Sequence, residues 1–386
     1  MKKPIVYLDN SATTQVDTAV VEVMTEMMLH NYGNPSSLHF MGTAALNAVF
    51  QSRCQVAQVI GCETQDIIFT SGGTESNNLA IKGCCHKNKS KGKTIITTAI
   101  EHSSVLKSFE SLQKEGFIIK IIYPNKETHL IEAQDLIDAV DEDTIFLSMM
   151  HVNNETGEIL PVEKVIEGVK KKNPQVLIHC DCVQSFAKRK VNIYHFDADF
   201  ISMSGHKIYA SKGVGALYIK DKSSILPLVQ GGSQEKGLRV GTENTASIVG
   251  MGKACSLAIA HMSDTNQKIQ KLHDLFIKEL YTIPDIHINS PKNALPFIIN
   301  FSLLGHKAYD ILSFMEQKDI YISNGSACEK GAKSHVLIAA GYSDEVIEGG
   351  LRISLGKYNT ENDIHIFISA LKDYISTVSP TSYLFK

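Results

Sequence analysis

The chain has 386 residues, 43% of them hydrophobic and 20% charged, so it can bury a large core and reads as an ordinary soluble protein of one large and one smaller domain. Its 38 basic and 41 acidic side chains leave a formal net charge of -3 with no basic block, which excludes nucleic acid as a direct partner on charge grounds. No stretch reaches membrane-spanning length, and the N-terminus has only a brief apolar run ending at Asp9, so a cytoplasmic protein is expected.

Residues 7–14 form an extended piece ending in small polar residues, after which Val20, Val21, Met24, Met27 and Met28 recur at helical spacing. Residues 31–37 carry turn chemistry, with Ser36 or Ser37 the expected N-cap of a long amphipathic helix running towards Gly61. Ile67–Thr70 predicts a strand, and Ser71-Gly72-Gly73-Thr74 follows it at the opening of a helix. Glycines at such a turn let backbone amides approach an anion while the helix start adds partial positive charge, which makes this stretch a candidate phosphate cradle. The pattern is neither G-x-G-x-x-G nor a Walker loop, and taken alone a glycine turn capped by Thr74 is the simpler reading.

Alternation continues with strands over residues 94–99, 117–123 and 144–149, helices from Ser104, Glu132 and Pro161, and a strand over 176–181 that finishes on Asp181. This order predicts an α/β fold with a mostly parallel sheet covered on both faces. The strand from Phe200 comes next, and Lys207 follows it where a strand runs into a turn, in the crevice at its carboxyl end. A lysine held there among apolar strands tends to lose its proton and act as a base or Schiff-base nucleophile. Asp181 and Lys207 leave strands that can be neighbours. A carboxylate for a pyridinium nitrogen, a lysine for an imine and a phosphate cradle are the three parts of a pyridoxal-phosphate site, although each alone has a structural explanation.

Residues 231–244 form an irregular glycine-rich loop of a length that is usually functional or disordered. Helices are expected from Ala246 to about Thr282, followed by a smaller α+β unit with strands over 297–303, 321–323 and 351–355 and a helix over 308–317. In that unit Cys328 lies in a run of small residues, and Lys330 or Lys333 nearby would favour its thiolate. Arg352 can clamp a carboxylate with its planar fork, or pair with a structural acid. The eight cysteines have no framework spacing and are expected to be free thiols. Cys84-Cys85-His86 and His179-Cys180-Asp181-Cys182 contain metal-binding atoms but lack a C-x-x-C pair, so no metal site is expected.

In combination, YLDNSATT, NYGNPSSLH, FTSGGTESNNLAIKG, EHSSV, HVNNETGEILP, HCDCVQ, SMSGHKIYASKGVGALY, GGSQEKGLRVGTEN, SNGSACEKG and LRISLGKYNTENDI resemble, in order and spacing, the class I (NifS/IscS-like) cysteine desulfurases. These belong to the class V aminotransferase superfamily of fold-type I pyridoxal-phosphate enzymes. The resemblance covers essentially the whole chain. It implies a large cofactor-binding domain with a seven-stranded sheet over residues 15–260, and a small domain from residues 1–14 and 261–386 that carries the cysteine loop. It further implies Lys207 as Schiff-base lysine and base, Asp181 on the pyridine nitrogen, Gln184 on the ring hydroxyl, and His102 stacked on the ring and assisting proton transfer. Gly73, Thr74, Ser204 and His206 would hold the phosphate, joined by Thr242 from a partner subunit of a homodimer. Asn154 and Arg352 would bind the carboxylate of L-cysteine, and Cys328 would accept the sulfur and pass it to a cluster scaffold or a tRNA-thiolating enzyme.

The chain departs from the family at Glu329-Lys330, where small hydroxyl residues are usual, in a slightly shorter loop before His335, at Ala210-Ser211 in place of Gly-Pro, and in lacking a long tail after Lys386. These departures bear on the sulfur acceptor more than on the chemistry. Rival readings are a cystine or selenocysteine lyase or an aminotransferase on the same scaffold, a serine-lysine hydrolase built on Ser204 and Lys207, and a silent sulfur carrier.

Overall fold

Runs such as Ile67–Thr70, Leu177–Asp181 and Phe200–Ser204 are buried almost throughout rather than on alternate residues, as strands covered on both faces must be, and they belong to one seven-stranded sheet. The computed structural model describes residues 5–325 and 333–377. The spatial order of the large sheet is Ile67–Thr70, Gly215–Ile219, Phe200–Ser204, Leu177–Asp181, Thr144–Met150, Thr94–Thr98 and Ile118–Ile122. Gly215–Ile219 runs antiparallel to both of its neighbours, and the remaining pairings are parallel. One face packs on a core that includes Val56, Ile60, Ile178, Met203 and Met251, and the other on Ile81, Phe109, Phe146, Phe200 and Leu217.

Ahead of the sheet, the helix Phe40–Ile60 ends on Gly61 at φ 73, the left-handed conformation that suits glycine. Its start corrects the expectation. His39 is the N-cap, its ring accepting from the Gly42 amide, and Ser36 and Ser37 lie in the turn before it. Histidine is not among the usual capping residues, so the sequence pointed to the serines instead.

A second core surrounds Val6, Leu8, Phe276, Phe301 and Phe367, where Phe276 and Phe367 stack with centroids 5.3 Å apart. It covers an antiparallel sheet of Gly350–Ser354, Ile298–Leu303 and Ile286–Ile288, beside the parallel pair Val6–Tyr7 and Ile320–Tyr321. The helix Thr245–Leu280 joins the cores. Ile248, Met251 and Cys255 bury into the first, and Ile269, Phe276 and Leu280 into the second. The division proposed at residue 260 therefore falls inside one continuous helix. Among the described residues no helix is long and apolar enough to cross a membrane, and no group of three or more metal-binding side chains could hold an ion.

One buried histidine makes the sheet sensitive to acid. His179 is fully buried, with Nδ1 at 2.8 Å from Ser148 Oγ and Nε2 at 2.9 Å from Ser202 Oγ. Burial pushes its pKa from 6.5 down to about 4, partly opposed by Asp181. Between those two values the unfolded chain binds the extra proton, so stability falls as pH drops from 6.5 and the loss is complete near pH 4, reaching about 3 kcal/mol from this residue. Urea unfolding at pH 7 and pH 4.5 should show a smaller difference in His179→Gln than in the parent. Equal differences would contradict the assignment.

Candidate active site

Asp181 and Lys207 meet because their strands are neighbours. Leu177–Asp181 and Phe200–Ser204 pair in parallel with Asp181 opposite Ser202, so Asp181 and the turn Gly205–Lys207 emerge at the same edge of the sheet. Asp181 is nearly buried; its Oδ2 accepts from Asn77 Nδ2 at 2.7 Å and its Oδ1 from the Val183 amide at 2.9 Å. Asn77 Nδ2 also donates to Ser104 Oγ at 2.9 Å, and Ser104 Oγ lies 2.8 Å from His102 Nδ1. His102 caps the helix Ser103–Lys114 by accepting from the Ser104 amide. Burial lowers the His102 pKa and the charges of Lys207 and His335 add to this, while Asp181 opposes it. Carboxylate and imidazole are thus held in one network anchored by the helix that begins at Gly73.

The Lys207 amine donates to the carbonyls of Ser11 and Ala12, the latter at 2.8 Å. That segment is itself fixed by the small sheet, with the Ser11 amide donating to Ser354 Oγ at 2.8 Å and Asn10 Nδ2 to the Ser354 carbonyl at 2.9 Å. Gln184, nearly buried, donates from Nε2 to the same Ser11 carbonyl at 3.0 Å.

The glycine turn has the form of an anion cradle. Gly73 begins the helix Gly73–Asn78, which runs on through a π turn, Leu79–Gly83, into Cys84–Asn88. A Cβ added at Gly73 would lie 2.7 Å from Val183 Cγ2, so no side chain fits there without displacing its neighbour. Ser204 Oγ is buried nearby without a hydrogen-bond partner, which is rare for a native hydroxyl and marks a place where a polar ligand belongs. Thr74 is exposed at the same turn. His206 Nδ1 is 3.3 Å from Thr13 Oγ1, and burial, assisted by Lys207, pushes its pKa down to about 4.

Arg352 is 1% exposed. Its Nη1 donates to the Asn154 carbonyl at 2.9 Å and its Nη2 to Asp9 Oδ1 at 2.8 Å, while Nε has no partner. Of the two alternatives left open by the sequence, the structure shows the pairing with an acid, and among the described residues the guanidinium retains one donor without a partner. Thr242 lies exposed on the loop before the long helix. Cys328 lies outside the described residues.

Several residues with a part in this geometry were not singled out from the sequence. Asn77 stands four residues after Gly73, so helical spacing alone could have pointed to it. The Ser11 and Ala12 carbonyls carry no residue-type signal. Glu101 is fully buried, accepting from Thr98 Oγ1 at 2.6 Å and the Met150 amide at 2.9 Å, and burial raises its pKa to about 8. A cavity of about 400 Å³ is lined by Lys207 together with Lys188, Tyr209, His261, Phe297 and Lys357; Asp181, His102 and Arg352 are not among its lining residues.

The class-V aminotransferase family matches residues 6–367. A cysteine desulfurase IscS of Dictyoglomus turgidum is 41% identical over 382 residues, covering 97% of this chain and 96% of its own. One from Methanosarcina thermophila is 40% identical, covering 98% and 94%. Among solved structures, a NifS-like protein superposes with a TM-score of 0.92 at 36% identity over 97% of this chain and all of its own. SspA in complex with cysteine does so with a TM-score of 0.81 at 35% identity, covering 92% and 99%.

Proposed function

The chain belongs to the class-V aminotransferase family, and on that premise we propose a cysteine desulfurase that uses pyridoxal 5'-phosphate, converts L-cysteine to L-alanine and carries the sulfur as a persulfide on Cys328. The observation that carries the reading is the pairing of the Asp181 and Lys207 strands, which sets a carboxylate and an amine at one sheet edge beside a glycine cradle.

The residues fit a phosphorylated pyridine. The partnerless Ser204 hydroxyl, the close approach at Gly73 and the exposed Thr74 suit a phosphate, with His206 alongside. Asp181 would hold the ring nitrogen protonated, Gln184 would donate to the ring hydroxyl, and His102 would stack against the ring. When bound, the protonated ring supplies an electron sink that lets the substrate Cα lose its proton. Lys207 would anchor the cofactor and serve as the base that takes this proton and returns it, while Arg352 and Asn154 would hold the substrate carboxylate. Cys328 thiolate then forms a bond to the substrate sulfur as the carbon-sulfur bond breaks, with the electron pair staying on the carbon fragment. That fragment takes up a proton and leaves as L-alanine.

The reading includes a homodimer in which Thr242 of one copy completes the phosphate site of the other. Its support is the exposed apolar stretch Met28, Leu29, Tyr32, Leu38 and Phe40, in which Leu38 and Phe40 are 102% and 84% exposed. It also includes a cytoplasmic enzyme, supported by the free thiols of the seven described cysteines, and a cluster scaffold or tRNA-thiolating enzyme as acceptor.

Incubation of the purified holoenzyme with L-cysteine should yield L-alanine and one added sulfur on the peptide containing Cys328, read by mass spectrometry. Alanine release with no sulfur on Cys328 would replace this reading by that of a lyase.

A further inference from the structure

The reaction described above leaves one buried cation unused. Lys188 is 8% exposed, although lysine is almost never buried without a partner. Its Nζ donates to Gln184 Oε1 at 3.3 Å and otherwise faces the Phe297 ring, 5.6 Å from the centroid. Burial pushes its pKa down to about 7, and the charges of Lys207 and Arg352 act in the same direction. The backbone holds it in place. The Lys188 amide donates to the Ser185 carbonyl at 3.0 Å, and its own carbonyl accepts from Asn266 Nδ2 at 3.0 Å. The preceding Ala187 sits at φ 58, a conformation unfavourable for a non-glycine residue that persists only where surroundings enforce it.

Lys188 and Gln184 are four residues apart on the turn that follows Asp181. Gln184 Nε2 donates to the Ser11 carbonyl, which also accepts from Lys207, so a hydrogen-bonded path runs from Lys188 through Gln184 and Ser11 to the reactive amine. A glutamine amide can turn over and exchange its oxygen for its nitrogen. In its protonated form the Lys188 amine only donates, and the Ser11 carbonyl only accepts, so together they then allow one of the two orientations, the one in which Gln184 Oε1 faces Lys188 and Nε2 faces Ser11.

We propose that Lys188 is a positioning residue that locks the Gln184 amide with its oxygen inward, leaving the second hydrogen of Nε2 to be donated to the cofactor's ring hydroxyl. This rests on the cofactor reading given above. It assigns Lys188 no contact with substrate or cofactor, and its effect passes through Gln184 alone.

The test uses the holoenzyme and two readouts, the pH titration of the cofactor's visible absorbance and kcat/KM for L-cysteine. Lys188→Met should move the absorbance midpoint by about half a pH unit or more and lower kcat/KM about tenfold, the size typical of losing a group that orients a ligand-binding residue. Lys188→Arg, which still donates, should retain most of both properties. In a Gln184→Ala background, Lys188→Met should add less than about a twofold further loss, because the residue it orients is gone. Should Lys188→Met fail to fold, Lys188→Leu gives the same comparison with a shorter side chain that likewise donates nothing. An unmoved midpoint in the Lys188 variant, or an undiminished loss in the Gln184→Ala background, overturns the proposal. A parent enzyme that retains no cofactor absorbance once unbound cofactor has been removed would instead remove the cofactor reading itself.

Discussion

Lys207→Ala should lower alanine formation from L-cysteine by on the order of 10³-fold or more, since in the proposed reaction one amine serves as both covalent anchor and base. The side chain is half-buried at the end of the strand Phe200–Ser204, with its amine on the carbonyls of Ser11 and Ala12. Those carbonyls belong to a segment pinned by Ser354, so the lysine has a defined starting position rather than a mobile one. Removing it takes this donor from the Ala12 carbonyl while the Ser11 carbonyl keeps Gln184 Nε2, a stability cost of about 1–3 kcal/mol that a folded chain of this size tolerates. Activity and folding therefore separate, and a melting curve close to the parent's beside an inactive enzyme is the expected pair of results. Retention of a tenth of the parent activity would mean that the base is another residue.

Arg352→Ala should do more damage to the fold and comparable damage to binding. The guanidinium is buried against Asp9 and the Asn154 carbonyl, and breaking a buried pair from one side costs about 3–5 kcal/mol, with the lower end fitting here because Asp9 is partly open to water. Loss of the carboxylate anchor should raise KM on the order of 10²-fold while kcat changes less. Asp9→Asn makes the contrast. It removes the ion pair but keeps the guanidinium, so it should lower stability with a much smaller rise in KM. If both variants raised KM equally, Arg352 would act on the fold alone.

The parts of this site legible in the sequence were those written locally. The strands ending at Asp181 and Ser204 were visible as apolar runs, and the glycine turn before Thr74 as punctuation between a strand and a helix. Their adjacency followed from alternation of strand and helix. What stayed hidden depends on contacts far apart in the chain. The carbonyls that receive Lys207 lie almost two hundred residues before it, and the acid that pairs with Arg352 lies near the opposite terminus. Strands as short as Val6–Tyr7 and Ile286–Ile288 have too few residues to show a period. Nothing local in the sequence marks Glu101 or Lys188 as buried, and their partners appear only in the fold.

The N-terminal segment has a consequence for how the protein is made. Val6 and Tyr7 pair with Ile320 and Tyr321, and the next residues hang from Ser354. Residues 6–11 therefore cannot take their place until residues 320–354 have been made. A nascent chain exposed only to residue 310 contains every strand of the large sheet, yet the ledge on which the reactive amine rests has nothing to hang from. Catalytic competence therefore arrives after translation of the C-terminal strand rather than with folding of the large sheet, which keeps a partly synthesised enzyme from acting on free cysteine.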